Sequence, residues 1–150
     1  MEVFLLLLMT MKIIKFANVV ILNKHGLALV LRRTESHPTR PLMPDLPGGM
    51  LELDEGFETA ALREVREETG VKLRTEDLTL IDDRELMLSG RSLHGVLYKV
   101  CLNVDNISIT LSDEHDEYHW TKPEKISGLS GFHEKSISYA LMNDLLSQGS

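Results

Sequence analysis

Three glutamates near the middle of the chain have the spacing of a metal-binding helix face. Glu67 follows Glu64 after three residues, and Glu68 comes directly after Glu67. Because an α-helix turns about 100° per residue, the three carboxylates share an arc of about 100°. Their mutual repulsion destabilises a helix unless a cation neutralises it, and clustered hard oxygen ligands suit Mg²⁺ or Mn²⁺. The spacing therefore predicts a divalent metal site.

The flanking residues indicate how such a helix is held. The arc beside the carboxylates is formed by Ala61, Leu62, Val65 and Thr69, which predicts a docking stripe. A Pro-Gly-Gly turn at residues 47–49 precedes the helix, and Glu52 and Glu55 add a second acidic pair. The alternative is a solvated acidic face with Arg63 and Arg66 as surface partners. The turn and the second acidic pair argue against that alternative.

Nine positions of this stretch match a known signature. They are Gly49, Glu55, Arg63, Glu64, Val65, Glu67, Glu68, Gly70 and Val71. Their spacing resembles the Nudix box, G-x5-E-x7-R-E-U-x-E-E-x-G-U with U an aliphatic residue, at every fixed position. One departure is Asp54, which stands where the family often has a glycine. The resemblance spans about residues 11–146, but only the box is highly specific.

The resemblance implies roles for the box residues. Glu64, Glu67 and Glu68, with the backbone carbonyl of Gly49, would hold Mg²⁺, with Mn²⁺ as the alternative cation. Arg63 would orient a box carboxylate, which places it with the catalytic residues.

Residues around the box complete the predicted site. Glu52 and Glu55 are expected to support the metal ligands from outside. The base that deprotonates the attacking water is either Glu64 or Glu114, since the family varies in this respect, and Glu117 is the runner-up to Glu114. His115 and His119 are interpreted as surface or core-edge residues rather than ligands.

A proline-rich loop at residues 34–47 borders the predicted site. Arg32 and Arg33 lie next to it and are candidate contacts for a substrate phosphate or a leaving group. The alternative for each arginine is a solvated surface position.

The implied reaction is hydrolysis of a pyrophosphate bond in a nucleoside diphosphate linked to another group. A MutT-like nucleoside triphosphate pyrophosphohydrolase fits the small domain best. An ADP-ribose, nucleotide-sugar or dinucleotide pyrophosphatase is the first alternative. A catalytically inactive nucleotide-sensing module is the second, and the complete box argues against it.

Composition limits the setting. The net charge of −7 disfavours a stable complex with nucleic acid or an anionic membrane. The single cysteine, Cys101, allows no intramolecular disulfide and favours a cytoplasmic location. Its apolar surroundings predict a small buried side chain. The apolar run at residues 4–9 is too short to span a membrane and lacks the basic start of a signal peptide.

Hydrophobic patterns predict the order of elements. Strands are expected at residues 12–22, 27–33, 78–88 and 93–104, and helices at residues 56–69 and 132–146. A further strand containing Trp120 follows the acidic stretch. This order predicts an α/β/α sandwich, with a mixed β-sheet between helices. The Nudix domain is expected at residues 11–146, after an apolar tail or extra strand at 1–10 that could serve a homodimer interface, and before a short tail at 147–150.

Overall fold

The computed structural model describes residues 13–88 and 90–128, together with Val3. The strands are Ile14–Leu22 (β1), Ala28–Arg33 (β2), Pro44–Asp45 (β3), Gly48–Met50 (β4), Thr79–Leu88 (β5), Arg91–Cys101 (β6) and His115–Thr121 (β7). The box helix, α1, spans Phe57–Thr69, and 3-10 turns cover Thr75–Asp77 and Pro123–Gly128. The predicted strands and box helix are thus confirmed within a few residues at each end.

The strands form one mixed sheet in which β1 is central. β1 pairs in parallel with β6 along its whole length, from Ile14 opposite Leu93 to Leu22 opposite Cys101. The other edge of β1 is shared, because β4 pairs with its first half and β2 with its last residue. β2 in turn carries β7 along one edge and β3 along the other. This sharing brings β3, β4 and β7 to one region of the sheet.

Apolar side chains fill both faces of the sheet. Alternate residues of β1 and β2 face α1, where the buried cluster is Ala17, Val19, Ile21, Leu29, Leu31, Ala60, Ala61, Val65, Val96, Tyr98 and Val100. The opposite face buries Val20, Ala28, Val30, Leu46, Leu93, Leu97 and Ile126. A strand buried on both faces reads as a continuous apolar run, which explains the composition of β1.

A glycine stands at each end of α1. Gly56 is its extended N-cap, and Gly70 ends it with a φ of +76°, donating its N–H to the carbonyl of Arg66. The predicted docking stripe is confirmed at Ala61, Val65 and Thr69, which are buried, whereas Leu62 is half-buried. When this stripe packs on the sheet, the neighbouring carboxylates of Glu64 and Glu68 face β4.

The prediction for Cys101 was wrong, because its side chain is exposed. Cys101 is the last residue of β6, and the chain leaves the sheet immediately after it. The predicted strand at 93–104 ends there, and within the described range 102–114 no further strand forms.

Two predictions fall on other parts of the chain. The helix at 132–146 lies outside the described residues, and so does the segment at 1–10 apart from Val3. The domain limits at residues 10 and 146 therefore stay predictions. In the part of the chain that the structure describes, no helix has the length and apolar character needed to cross a bilayer.

Candidate active site

The Pro-Gly-Gly turn is held against the sheet where only glycine fits. Gly48 pairs with Asn18 and has a φ of +141°. A Cβ added to Gly48 would lie 2.2 Å from the carbonyl oxygen of Ala17, which is far inside van der Waals contact. The backbone N–H of Gly48 donates to Oε1 of Glu68 at 3.1 Å. The turn thus fixes one end of a box carboxylate.

Gly49 lies directly against a second box carboxylate. A Cβ added there would meet Oε1 and Cδ of Glu64, each at 2.9 Å. The Glu64 carboxylate therefore occupies the space that any side chain at position 49 would need. The turn thus brings the backbone of Gly49 together with the carboxylates of Glu64 and Glu68.

Arg63 is the hub of the acidic cluster. Its Nε and Nη2 donate to the two carboxylate oxygens of Glu55, both at 2.8 Å. Its Nη1 donates to Glu64 at 2.8 Å and to Glu67 at 3.2 Å. The more exposed carboxylate of Glu52 lies 3.8 Å away. One guanidinium thus orients Glu64 and Glu67, two of the three glutamates predicted to bind metal.

The same hydrogen bonds shift the pKa values of Glu55 and Arg63. The hydrogen bonds from Arg63, followed by the bond from the backbone N–H of Glu52, lower the pKa of Glu55 to about 2. The Glu55 and Glu64 carboxylates in turn raise the pKa of Arg63 above its usual value. At neutral pH Glu55 is therefore ionised, and its carboxylate holds the Arg63 guanidinium in place.

Asp54 takes a left-handed backbone conformation, which glycine adopts most easily. Its φ is +61°, in the turn where the N–H of Glu55 donates to the carbonyl of Glu52. Aspartate tolerates this region better than most residues. The turn therefore forms with aspartate in place of glycine.

Glu68 is the buried member of the carboxylate face. Its side chain is almost fully covered, and its Oε2 has no hydrogen-bond partner among the described residues. Burial raises its pKa well above the usual value, and the neighbouring Asp45 and Glu64 carboxylates add to this shift. Such a carboxyl favours either a proton or a bound cation.

Sequence reasoning missed the involvement of His115. This residue is buried, with Nε2 at 3.4 Å from Asp45 and Nδ1 at 3.6 Å from Glu68. The interpretation as a surface or core-edge residue was therefore wrong for His115, whereas His119 is exposed. Only the pairing of β7 with β2, which sets His115 opposite Arg33, reveals its position.

The two candidate substrate arginines are engaged differently. Arg33 faces α1 and donates from Nε to Asp45 at 3.1 Å and from Nη1 to the carbonyl of Thr39 at 2.7 Å. Arg32 faces the opposite side, where it forms a bidentate pair with Asp116. Arg32 also lines an open cleft of 370 Å³ on that side of the sheet. Arg33 is thus held in a largely buried ion pair, whereas the ion pair of Arg32 lies at the surface.

The two candidate glutamates of the acidic stretch also differ. Glu114 is exposed beside the buried His115, and its carbonyl accepts from the N–H of Thr34 at 3.0 Å. The carboxylate of Glu117 lies 3.3 Å from Arg32. Glu114 therefore directly precedes His115, which lies beside Glu68, whereas Glu117 is paired with Arg32.

The donor chemistry of the cluster fits a hard divalent cation. In the described ranges, no three His, Cys, Asp or Glu side chains are already gathered as a metal cage. The carboxylates of Glu64 and Glu68 nevertheless flank the Gly49 backbone, and the Oε2 of Glu68 is buried without a partner. Oxygen-only donors of this kind suit Mg²⁺ or Mn²⁺ rather than softer metals.

Comparisons with known proteins agree with this geometry. A family model described as NUDIX domain matches residues 14–141. A MutT-like protein of Streptomyces ambofaciens is 31% identical over 108 residues, covering 72% of this chain and 63% of that protein. A nucleoside triphosphatase NudI of Salmonella agona is 30% identical over 114 residues, covering 71% of this chain and 81% of the relative.

Solved structures share the architecture. A MutT protein from Methanosarcina mazei Go1 superposes with a TM-score of 0.74 at 26% identity, covering 94% of this chain and 98% of that one. An Ap4A hydrolase from C. elegans superposes with a TM-score of 0.67 at 23% identity, covering 91% and 97%. The predicted α/β/α sandwich with a mixed sheet is thereby confirmed.

Proposed function

The chain belongs to the NUDIX domain family, and on this basis we propose that it is a Mg²⁺-dependent nucleoside triphosphate pyrophosphohydrolase. The observation that carries the proposal is the packing of Glu64 against Gly49 beside the buried, unpartnered oxygen of Glu68. The nucleoside triphosphatase among its relatives supports a triphosphate as the substrate. Mn²⁺ is the alternative cation.

The cation would be held by the carboxylates of Glu64, Glu67 and Glu68 and by the carbonyl of Gly49. When bound, it supplies neutralisation of the phosphate charge and a lower pKa for an attacking water. Arg63 keeps the Glu64 and Glu67 carboxylates oriented through its two Nη1 hydrogen bonds.

Glu55 supports the proposed metal ligands indirectly, because it holds Arg63. Because Arg63 and the N–H of Glu52 lower its pKa to about 2, it stays ionised and holds the guanidinium in place. Glu52 is the weaker outer partner, since its carboxylate lies 3.8 Å from Arg63.

The reaction itself is a displacement at phosphorus. A water oxygen bonds to one phosphorus of the triphosphate, and the bridging P–O bond breaks with its electron pair leaving on the bridging oxygen. The proton of the water passes to a glutamate, for which Glu64 and Glu114 are the candidates. The proposed products are a nucleoside monophosphate and pyrophosphate. Positioning and electrostatics supply most of the acceleration in such transfers.

Arg32 and Arg33 both stay candidate substrate contacts, and Arg32 lies on the face of the sheet opposite α1 and its carboxylates. Arg32 lies in a surface ion pair and lines the 370 Å³ cleft, so it can exchange partners at small cost. Arg33 is engaged by Asp45 and Thr39. The proposed setting is the cytoplasm, and a homodimer through residues 1–10 stays a prediction.

The ADP-ribose, nucleotide-sugar or dinucleotide pyrophosphatase and the inactive sensing module stay as alternatives. The likeness to an Ap4A hydrolase structure, at 23% identity, supports the fold alone. We therefore keep the triphosphate as the first substrate to test.

The test is a nucleotide panel assayed with Mg²⁺, with phosphate and pyrophosphate measured separately. The wild type, Glu67→Gln and the surface control Glu76→Gln should be compared on canonical and oxidised triphosphates, ADP-ribose, nucleotide sugars and dinucleotides. We expect triphosphate turnover with pyrophosphate release that collapses in Glu67→Gln and persists in Glu76→Gln. Equal turnover in all three proteins would overturn the proposed site, and turnover of another panel member alone would overturn the proposed substrate.

A further inference from the structure

A buried row of side chains connects β2 to the box helix. It consists of Arg33, Asp45, His115 and Glu68. Arg33 donates to Oδ2 of Asp45 at 3.1 Å, and Nε2 of His115 lies 3.4 Å from the same oxygen. Nδ1 of His115 faces Oε2 of Glu68 at 3.6 Å. The histidine thus stands between two carboxylates.

The contact between His115 and Glu68 is incomplete. The His115 side chain is 1% exposed, and both its Nδ1 and the Oε2 of Glu68 lack a hydrogen-bond partner among the residues that the structure describes. Buried polar atoms are normally paired, and 3.6 Å is too long for a hydrogen bond. Two unpaired polar atoms that face each other at this distance indicate a bond that forms when the carboxylate moves slightly.

We propose that His115 is a positioning residue that orients the Glu68 carboxylate for cation binding. The N–H of Gly48 donates to Oε1 of Glu68, and Nδ1 of His115 lies 3.6 Å from Oε2. Together the two contacts define the plane of the carboxylate. Each carboxylate oxygen keeps a lone pair for the cation. This inference rests on the proposed metal-dependent function.

Asp45 and Arg33 fix the orientation of the histidine ring. Asp45 on β3 and His115 on β7 reach each other across β2, because β2 pairs with both strands. Arg33, which is opposite His115, anchors Asp45. Outer partners of this kind usually change metal affinity 10- to 100-fold when they are removed.

Three substitutions of His115 separate its nitrogens from its volume. His115→Phe keeps the ring size and removes both nitrogens. His115→Asn places an amide nitrogen near the Nδ1 position that faces Glu68, whereas His115→Gln places one near the Nε2 position that faces Asp45. His119→Phe is the matched control, since His119 is exposed on the same strand.

The readout is Mn²⁺ affinity, measured by electron paramagnetic resonance, beside thermal unfolding in EDTA. We expect His115→Phe and His115→Gln to weaken Mn²⁺ binding about 10-fold or more, His115→Asn to restore part of the loss, and His119→Phe to bind as the wild type does. A folded His115→Phe variant with wild-type Mn²⁺ affinity would overturn the inference. If His115→Phe does not fold, equal affinities of His115→Asn and His115→Gln would overturn it.

Nucleotide turnover measured in parallel separates this inference from the proposed function. Weaker Mn²⁺ binding in His115→Phe, in a protein whose wild type hydrolyses no nucleotide, would remove the function and leave the positioning role. Turnover in the wild type with unchanged Mn²⁺ binding in His115→Phe would do the reverse.

Discussion

The carboxylate of Glu64 occupies the space that a side chain at Gly49 would fill. A Cβ at position 49 would lie 2.9 Å from Oε1 of Glu64, and the three nearest atoms to it all belong to that carboxylate. A glycine in the loop and a glutamate on α1 are therefore matched to each other. This relationship requires a glycine even though the backbone of Gly49 does not have a positive φ.

Gly49→Ala should lower activity without unfolding the protein. The added methyl displaces only the end of a flexible side chain, so the melting temperature should change little. A misplacement of about 1 Å at a catalytic group can cost about 100-fold in rate. We expect a loss of that order in kcat, measured with the nucleotide that the panel identifies.

Two other glycines serve as controls for this substitution. A Cβ at Gly56 meets no atom within 4 Å, so Gly56→Ala should keep its activity. A Cβ at Gly48 collides with the backbone of Ala17, so Gly48→Ala should lower the melting temperature strongly. Full activity in a folded Gly49→Ala variant would contradict the assigned role of Glu64.

Glu68→Gln should stabilise the metal-free protein at neutral pH. Burial, then Asp45 and Glu64, raise the pKa of Glu68 above the usual 4.5. Between about 4.5 and the raised pKa, the folded state retains a proton that the unfolded state releases, so the free energy of unfolding of the wild type falls as the pH rises. The advantage of the variant, measured as a melting temperature in EDTA, should grow over this range.

Mg²⁺ should reverse that advantage. A cation that binds only the folded state stabilises it by mass action, and the variant lacks one of the charged ligands. Glu67→Gln is the comparison, because Glu67 is largely exposed and its loss should leave the metal-free melting temperature nearly unchanged. A wild type that is as stable as Glu68→Gln at every pH would exclude the buried-charge argument.

Glu55→Gln should destabilise the protein at neutral pH but not in strong acid. The folded-state pKa of Glu55 is about 2, lowered from 4.5, so its contribution to stability is complete above about 4.5 and disappears as the pH falls towards 2. Melting temperatures recorded from pH 7 down to pH 2 should converge for variant and wild type. Glu52→Gln should match the wild type throughout, because the Glu52 side chain is 67% exposed. A gap that persists at pH 2 would count against the ion pair with Arg63.

Arg33→Ala and Arg32→Ala should separate stability from substrate binding. Removing Arg33 leaves Asp45 in a largely buried position with only its longer contact to His115, and breaking such a pair typically costs about 3 kcal/mol in the free energy of unfolding. Arg32 belongs to an exposed pair, so Arg32→Ala should leave stability nearly unchanged and raise KM if the residue contacts substrate. Urea titration and steady-state kinetics provide the two readouts. A stable Arg33→Ala variant with a raised KM would assign the substrate contact to Arg33 instead.

Much of the carboxylate face could be predicted because helical periodicity is local. The spacing of Glu64, Glu67 and Glu68 determines their common arc, and Gly70 ends the helix through its own backbone freedom. The family resemblance implied that Arg63 orients a box carboxylate, and its partners Glu55, Glu64 and Glu67 lie within eight residues of it. Strand positions followed from apolar patterns in the same way.

The misjudged residues depend on contacts between distant segments. Cys101 lies in an apolar run, yet it is exposed because β6 ends there. The separation of Arg32 from Arg33 follows from strand alternation, but their partners lie on other strands. Composition near a residue does not reveal such partners.

The sequence by itself determined the family signature, the helix that carries it and the chemistry of its carboxylates, because each of these depends on residue type and local spacing. Only the tertiary structure decided that His115 stands between Asp45 and Glu68. In the sequence, Asp45 is 70 positions and Glu68 is 47 positions away from His115. The physical reason is that β2 pairs with β3 on one edge and β7 on the other, and strand pairing over such distances leaves no periodic trace in the sequence.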